Sequence, residues 1–199
     1  NTLLTNTSIN NNNPNEMIRN MLDSKEINHG RAPILLATGH AHFDTALLLL
    51  KYNSNINVTD NQGLGITHYV FRIASADETK INKAESFLQT CIINYYLNIN
   101  AVDEHGRTGL MYAVMNHSPA AVEMGIRLGA DVRMKDRFGI AAEYMSGSSA
   151  VVEILKRNSN INNYNNDDDM NNNNDDDGDD DGSTVKLEVE IDGSNNGNN

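Results

Sequence analysis

The 199-residue chain carries 15 Lys and Arg against 27 Asp and Glu, a formal charge of −12, and that charge is segregated: residues 165–199 hold 12 acids and one base (Lys186), leaving 14 bases and 15 acids elsewhere. A near-neutral body has no clustered basic face for a polyanion, so no specific nucleic-acid partner is expected. The single cysteine, Cys91, makes neither an intrachain disulfide nor a cysteine zinc site, and no apolar run approaches the ~18 residues of a membrane span.

The ends are poor in apolar residues. Residues 1–13 are mostly Asn, Thr and Ser, and residues 164–183 mostly Asn, Asp and Gly. Such segments bury too little apolar surface to offset chain entropy and are expected to be disordered. Residues 14–163 remain as the folded region. Asn13-Pro14-Asn15-Glu16 reads as a helix start, with Pro at the first helical position. Met17, Ile18, Met21 and Leu22 fall on one face of that helix.

Pro33 opens a second helix through Ile34-Leu35-Leu36-Ala37. A break is expected near Gly39–Ala41, then a helix from His42 to Tyr52 with Ala46, Leu47, Leu49 and Leu50 inward. Asn53 stands where a left-handed residue ends a helix. Asp60-Asn61-Gln62-Gly63 has the Asp-first, Gly-fourth preference of a type I turn. The same order returns as Asp103-Glu104-His105-Gly106 and Asp136-Arg137-Phe138-Gly139. Each turn precedes a helix of small and apolar residues, a break and a second helix. The interval from Asp60 to Asp103 is 43 residues and that from Asp103 to Asp136 is 33. The surplus is assigned to the link between helices at 74–86, where repeats tolerate insertion. Leu110 and Ile126 are expected in the core. Asn158 is expected to end the last helix as Gly129 ends the one before. Val185, Leu187, Val189 and Ile191 alternate with charged residues, a strand signal.

The repeating pattern resembles the ankyrin repeat family. The resemblance rests on Ala32-Pro33-Ile34-Leu35-Leu36-Ala37, Gly65-Ile66-Thr67-His68-Tyr69-Val70 and Thr108-Gly109-Leu110-Met111-Tyr112-Ala113, which echo the family's Thr-Pro-Leu-His-x-Ala. It rests also on Asn53-Ser54-Asn55-Ile56-Asn57, Tyr96-Leu97-Asn98-Ile99-Asn100 and Gly129-Ala130-Asp131-Val132-Arg133, which echo its Gly-Ala-Asp-Val-Asn. It implies an all-α solenoid of about four degenerate helix-turn-helix units: 16–28, 29–59, 60–102, 103–135 and 136–163, the first of them partial. Residues 164–183 and 184–199 would follow as an acidic tract and a strand-bearing tail. Tyr96 departs from the pattern, because a left-handed Tyr costs about 1–3 kcal/mol; that helix is expected to end another way.

No catalytic residue, metal site or cofactor is expected. Asp177–Glu188 fits the calcium-loop template, with acids at the first, third and fifth positions, Gly at the sixth and Glu at the twelfth. A run of Asp and Gly meets the first six by composition, however, and no amphipathic helix precedes it. His68 is at the family's capping position. His40 and His42 lack further ligands at helical spacing, and His29, His105 and His117 fall at turns.

The resemblance implies binding through the turn tips and the exposed side of the first helices. The candidate partner-binding residues are Tyr69, Arg72, Tyr112, Met115 and Asn116 on the helices, with Lys135, Arg137 and Phe138 on the third turn. Tyr69, Tyr112 and Phe138 lead as aromatic anchors, with packing between units as their other reading. The 74–86 insert is a second candidate surface. The Asp run at 167–181 is expected to fold back on the basic edge of Arg133, Lys135 and Arg137. The expected function is a non-catalytic protein-binding scaffold, monomeric, cytoplasmic or nuclear, with an unidentified protein partner. The alternative is the regulatory region of a larger enzyme or signalling protein, which the non-Met first residue favours. A calcium-responsive or acidic-tail chaperone of basic proteins is a third.

Overall fold

The computed structural model describes residues 14–167, excluding the side chain of Asn15 and those beyond Ser159. Among these residues the fold is all-helical, with no strand. The helices are α1 (Pro14–Leu22), α2 (Pro33–Gly39), α3 (Phe43–Lys51), α4 (Ile66–Ala76), α5 (Ile81–Tyr95), α6 (Gly109–Met115), α7 (Pro119–Arg127) and α8 (Ser149–Asp167), with 3-10 turns at Glu78–Lys80 and Ala142–Tyr144. The Asn-rich segment 1–13, the 184–192 strand signal and the 177–188 calcium-loop pattern lie outside the described residues.

Three pairs, α2–α3, α4–α5 and α6–α7, stack side by side, with α4 packed between α2 and α6. The layers are therefore an inner row (α2, α4, α6), an outer row (α3, α5, α7) and a row of turns leading into the inner helices. Local chemistry explains the boundaries. Thr108 and Ser118 cap α6 and α7 by accepting from Met111 N at 3.3 Å and Ala121 N at 3.3 Å, satisfying amides that a helix start leaves unpaired. Pro33 and Pro119 sit at helix starts, where the missing N–H costs nothing.

The core runs continuously through the pairs. Phe71, fully buried on α4, is its keystone. A Cβ on Gly109 would stand 2.5 Å from the Phe71 ring and one on Gly125 would stand 2.8 Å from it. The ring occupies the space that side chains at those two helix positions would need. That accounts for Gly109, rather than Pro, at the start of α6. Phe43 and Phe87 stack between α3 and α5 at 4.9 Å, closing the outer side.

Several expectations need correction. The 74–86 insert is not a loop: it extends α4 to Ala76 and starts α5 at Ile81, and Ala74, Ile81 and Ala84 are buried. Inter-helix packing uses Ala74, Ile81 and Ala84, while Ala76, Glu78, Thr79, Asn82, Lys83 and Ser86 stay exposed. Tyr96 does take the left-handed conformation (φ 56°, ψ 37°) at the end of α5, with its ring 89% exposed. Ile126 is only partly buried; Val122 and Met124 fill the core side of α7. The first helix of the last unit is reduced to a 3-10 turn. Asn158 does not end α8, which runs on to Asp167 across the boundary expected at 163. Asn158 Nδ2 instead donates to Ile154 O at 2.8 Å. Along α1, Met17, Ile18 and Met21 are exposed rather than packed.

Candidate functional site: the turn row and inner groove

The turns are built around buried aspartates. Asp60 Oδ1 accepts from Gln62 N (2.8 Å) and Leu64 N (2.9 Å), and its Oδ2 accepts from the Tyr69 hydroxyl (2.8 Å). Asp103 repeats this with His105 N (2.8 Å), Arg107 N (2.9 Å) and the Tyr112 hydroxyl (2.7 Å). Asp136 keeps the backbone half, from Phe138 N (2.9 Å) and Ile140 N (3.0 Å). Met145 stands where the tyrosine would be. In the first turn Glu26 substitutes, accepting from Asn28 N and His29 N, both at 2.9 Å. Burial works upward on the Asp103 carboxyl, but the Tyr112 hydroxyl and the two N–H groups hold it below the usual carboxylate range. Burial and the Asp103 bond push Tyr112 up to about 12, and burial and Asp60 push Tyr69 up as well.

His68 ties two units together. Its Nδ1 accepts from Gly65 N at 3.1 Å, and its Nε2 bonds Arg107 O at 2.9 Å. A carbonyl only accepts, so the ring is neutral with its proton on Nε2. Burial depresses its pKa, outweighing Arg107 O, Asp103 and Asp60, which favour the charged form. Tyr112 packs edge-on to it at 5.8 Å. These side chains hold their own turn, a helix start or the neighbouring turn: Tyr69 bonds Asp60, Tyr112 bonds Asp103, and His68 bonds Gly65 N and Arg107 O. Cys91 is buried, and its thiol is pushed up to about 12 by that burial, which suppresses the nucleophilic thiolate. Among the described residues no group of three or more His, Cys, Asp or Glu is arranged to hold a metal ion, and no helix is long and apolar enough to cross a membrane.

One open feature is a groove of about 690 Å³ between the first two turns and the inner helices α2 and α4. Asn28, His29, Asn61 and Gln62 line its turn side, and Leu36, His40, Tyr69 and Arg72 its helix side. Tyr69 forms part of the wall by packing on Gly39, where a Cβ would meet its ring at 3.1 Å. His40 is held by Nδ1 against Leu36 O at 2.8 Å.

The candidate residues divide accordingly. Tyr69 and Arg72 share the groove, Arg72 being exposed and Tyr69 half-buried. Tyr112 is half-buried and held on Asp103, so its first role is structural. Met115 and Asn116 are exposed at the end of α6, and Lys135, Arg137 and Phe138 are exposed on the last turn, outside the groove. Phe138 is 66% exposed with the Arg137 guanidinium 5.2 Å from its ring centroid. Arg133, expected in the same basic edge, pairs with Asp131 at 3.3 Å. Asn28, His29 and Arg31 were not among the sequence candidates. Glu26, in place of the turn aspartate, hid the first turn and with it this wall of the groove.

No family model matches the chain, and no curated protein matches it closely. The reading of function therefore stands on the residues and their geometry.

Proposed function

We propose that the chain is an ankyrin-type solenoid acting as a non-catalytic protein-binding scaffold, with its partner laid along the turn tips and inner helices. The observation that carries this reading is the open groove beneath the first two turns, whose exposed Arg72 has no ion-pair partner among the described residues. An open polar trough suits an extended protein segment better than a small ligand, which favours an enclosed and largely apolar pocket. Arginine at such a rim is a usual source of binding energy. The turn aspartates and their tyrosines are occupied in holding their own turns and His68 in joining two units, which favours a scaffold over a catalyst.

The test is recovery of partners from lysate by the full chain and by Arg72→Glu. Tyr69→Ala and Tyr112→Ala are unsuitable, since each removes a hydroxyl that holds a turn aspartate. Proteins retained by the unaltered chain and lost with Arg72→Glu, at unchanged helical circular dichroism, support the groove. Retention by Arg72→Glu with loss in Arg137→Glu/Phe138→Ala moves binding to the last turn. Equal retention by both variants overturns the inner-face reading.

A further inference from the structure

The turns differ in what lies beyond them. Each of the first three gives a carbonyl to the next: His29 O accepts from Asn61 N at 2.9 Å, Gln62 O from Glu104 N at 3.2 Å, and His105 O from Arg137 N at 2.9 Å. Glycine permits this approach. A Cβ on Gly63 would lie 2.8 Å from Glu104 N, and one on Gly106 would lie 2.7 Å from Arg137 N. The fourth turn carries the same equipment unused. Phe138 takes the place of Gln62 and His105, and no described residue donates to its carbonyl. Gly139 keeps the left-handed φ of 79°, beside 78° and 73° at Gly63 and Gly106, yet has nothing described within 4 Å of its Cβ position. Ile140 is 43% exposed where Leu64, its counterpart, is 3% exposed.

We propose that residues 179–184 of this chain dock on that edge as a fifth turn. Asp179-Asp180-Asp181-Gly182-Ser183-Thr184 repeats the Asp-x-x-Gly-x-Thr order of Asp103–Thr108. Asp179 follows Asp136 by 43 residues, the interval that separates Asp60 from Asp103. In the earlier units the turn aspartate comes 8 or 9 residues after the outer helix ends, at Lys51, Tyr95 or Arg127; Asp179 comes 12 after Asp167. With 19 residues against the 9 of α7, α8 overshoots by roughly 15 Å, and an extended link of that length reaches about 40 Å.

Charge also fits. Lys135 and Arg137 have no acidic partner among the described residues, and docking sets Asp180 and Asp181 beside them. Docked in the pattern of the other turns, Asp180 N would donate to Phe138 O, and the Asp179 carboxylate would accept from Asp181 N and Ser183 N. The acidic tract thereby covers the basic last turn and leaves the groove at the other end open. The inference rests on turn stacking and holds whether or not the groove binds a partner.

Residue-resolved amide hydrogen exchange on the full chain tests it. Asp180, Asp181 and Ser183 are expected to exchange at least about tenfold more slowly than Asn171–Asn174 after correction for intrinsic rates. Gly182→Val removes that protection while α4–α7 stay protected. Gly178→Val, in the neighbouring Asp-Asp-Asp-Gly that lacks the following Ser-Thr, leaves it intact. Fast exchange throughout 179–185 overturns the proposal. Protection lost in Gly178→Val but kept in Gly182→Val overturns the register. Protection that rises with concentration alongside mass by light scattering overturns it in favour of a second copy.

Discussion

The turn at Asp103 and the turn at Asp136 share a backbone design and differ in what stands behind it. Both aspartates are buried and both accept two amides of their own turn. Behind Asp103 lie the Tyr112 hydroxyl, the His68 ring and a complete helix; behind Asp136 lie Met145 and a single 3-10 turn. The comparison separates two things that a repeat sequence confounds. The four-residue turn is local and needs only Asp and Gly. The lock behind the turn is tertiary and needs a tyrosine nine residues on in the same unit and the His68 ring from the unit before.

The largest expected effect sets the two aspartates against each other. Asp103→Ala removes three hydrogen bonds to a buried carboxylate and should cost about 3–4 kcal/mol, whereas Asp136→Ala removes two and should cost about 1.5–2 kcal/mol. Urea unfolding of both variants measures the difference, and equal losses would mean that Tyr112 adds nothing to the lock. Next comes the Phe71 keystone: Gly109→Ala should cost about 1–3 kcal/mol through overpacking. Adding Phe71→Leu should recover part of that loss, because both act on one space; strict additivity would contradict the contact.

Acidification should weaken the complete lock. A neutral buried His68 has a folded pKa below its unfolded one, so the unfolded chain binds the extra proton. Stability is then whole above about pH 6.5 and falls below it, by at most about 1.4 kcal/mol per pH unit. Asp103, held low when folded, contributes stability that is present above about pH 4 and lost as pH falls through its folded pKa. His68→Gln should flatten the higher segment in a series of urea midpoints against pH and leave the lower one. The smallest effect is a gain: Tyr96→Gly should stabilise by about 1 kcal/mol, because an exposed left-handed Tyr gives way to the residue that adopts that conformation without strain.

Much of the architecture was legible because it is local. Asp-x-x-Gly marks turns, Pro14 and Pro33 mark helix starts, and Asn53 marks a helix end. Helix pairs follow from apolar residues at helical spacing. The inner groove was half legible: Tyr69, Arg72, Asn61 and Gln62 could be placed from their position in the repeat, while its first wall escaped because Glu26 performs an aspartate's task with a longer arm. The fate of the 74–86 insert was illegible, since ten extra residues extend a loop or two helices equally well until Ala74, Ile81 and Ala84 find neighbours to bury them.

The sequence by itself determined the all-helical class, the turn positions and the segregation of charge into the acidic tract. Each follows from backbone preferences and side-chain chemistry within a few residues. Only the tertiary structure decided that Tyr69 and Tyr112 serve the fold through Asp60 and Asp103, that Gly109 and Gly125 exist for Phe71, and that Tyr96 is forced left-handed. Those outcomes depend on groups about 10 to 50 residues away in the chain, whose approach costs entropy that only the assembled core repays.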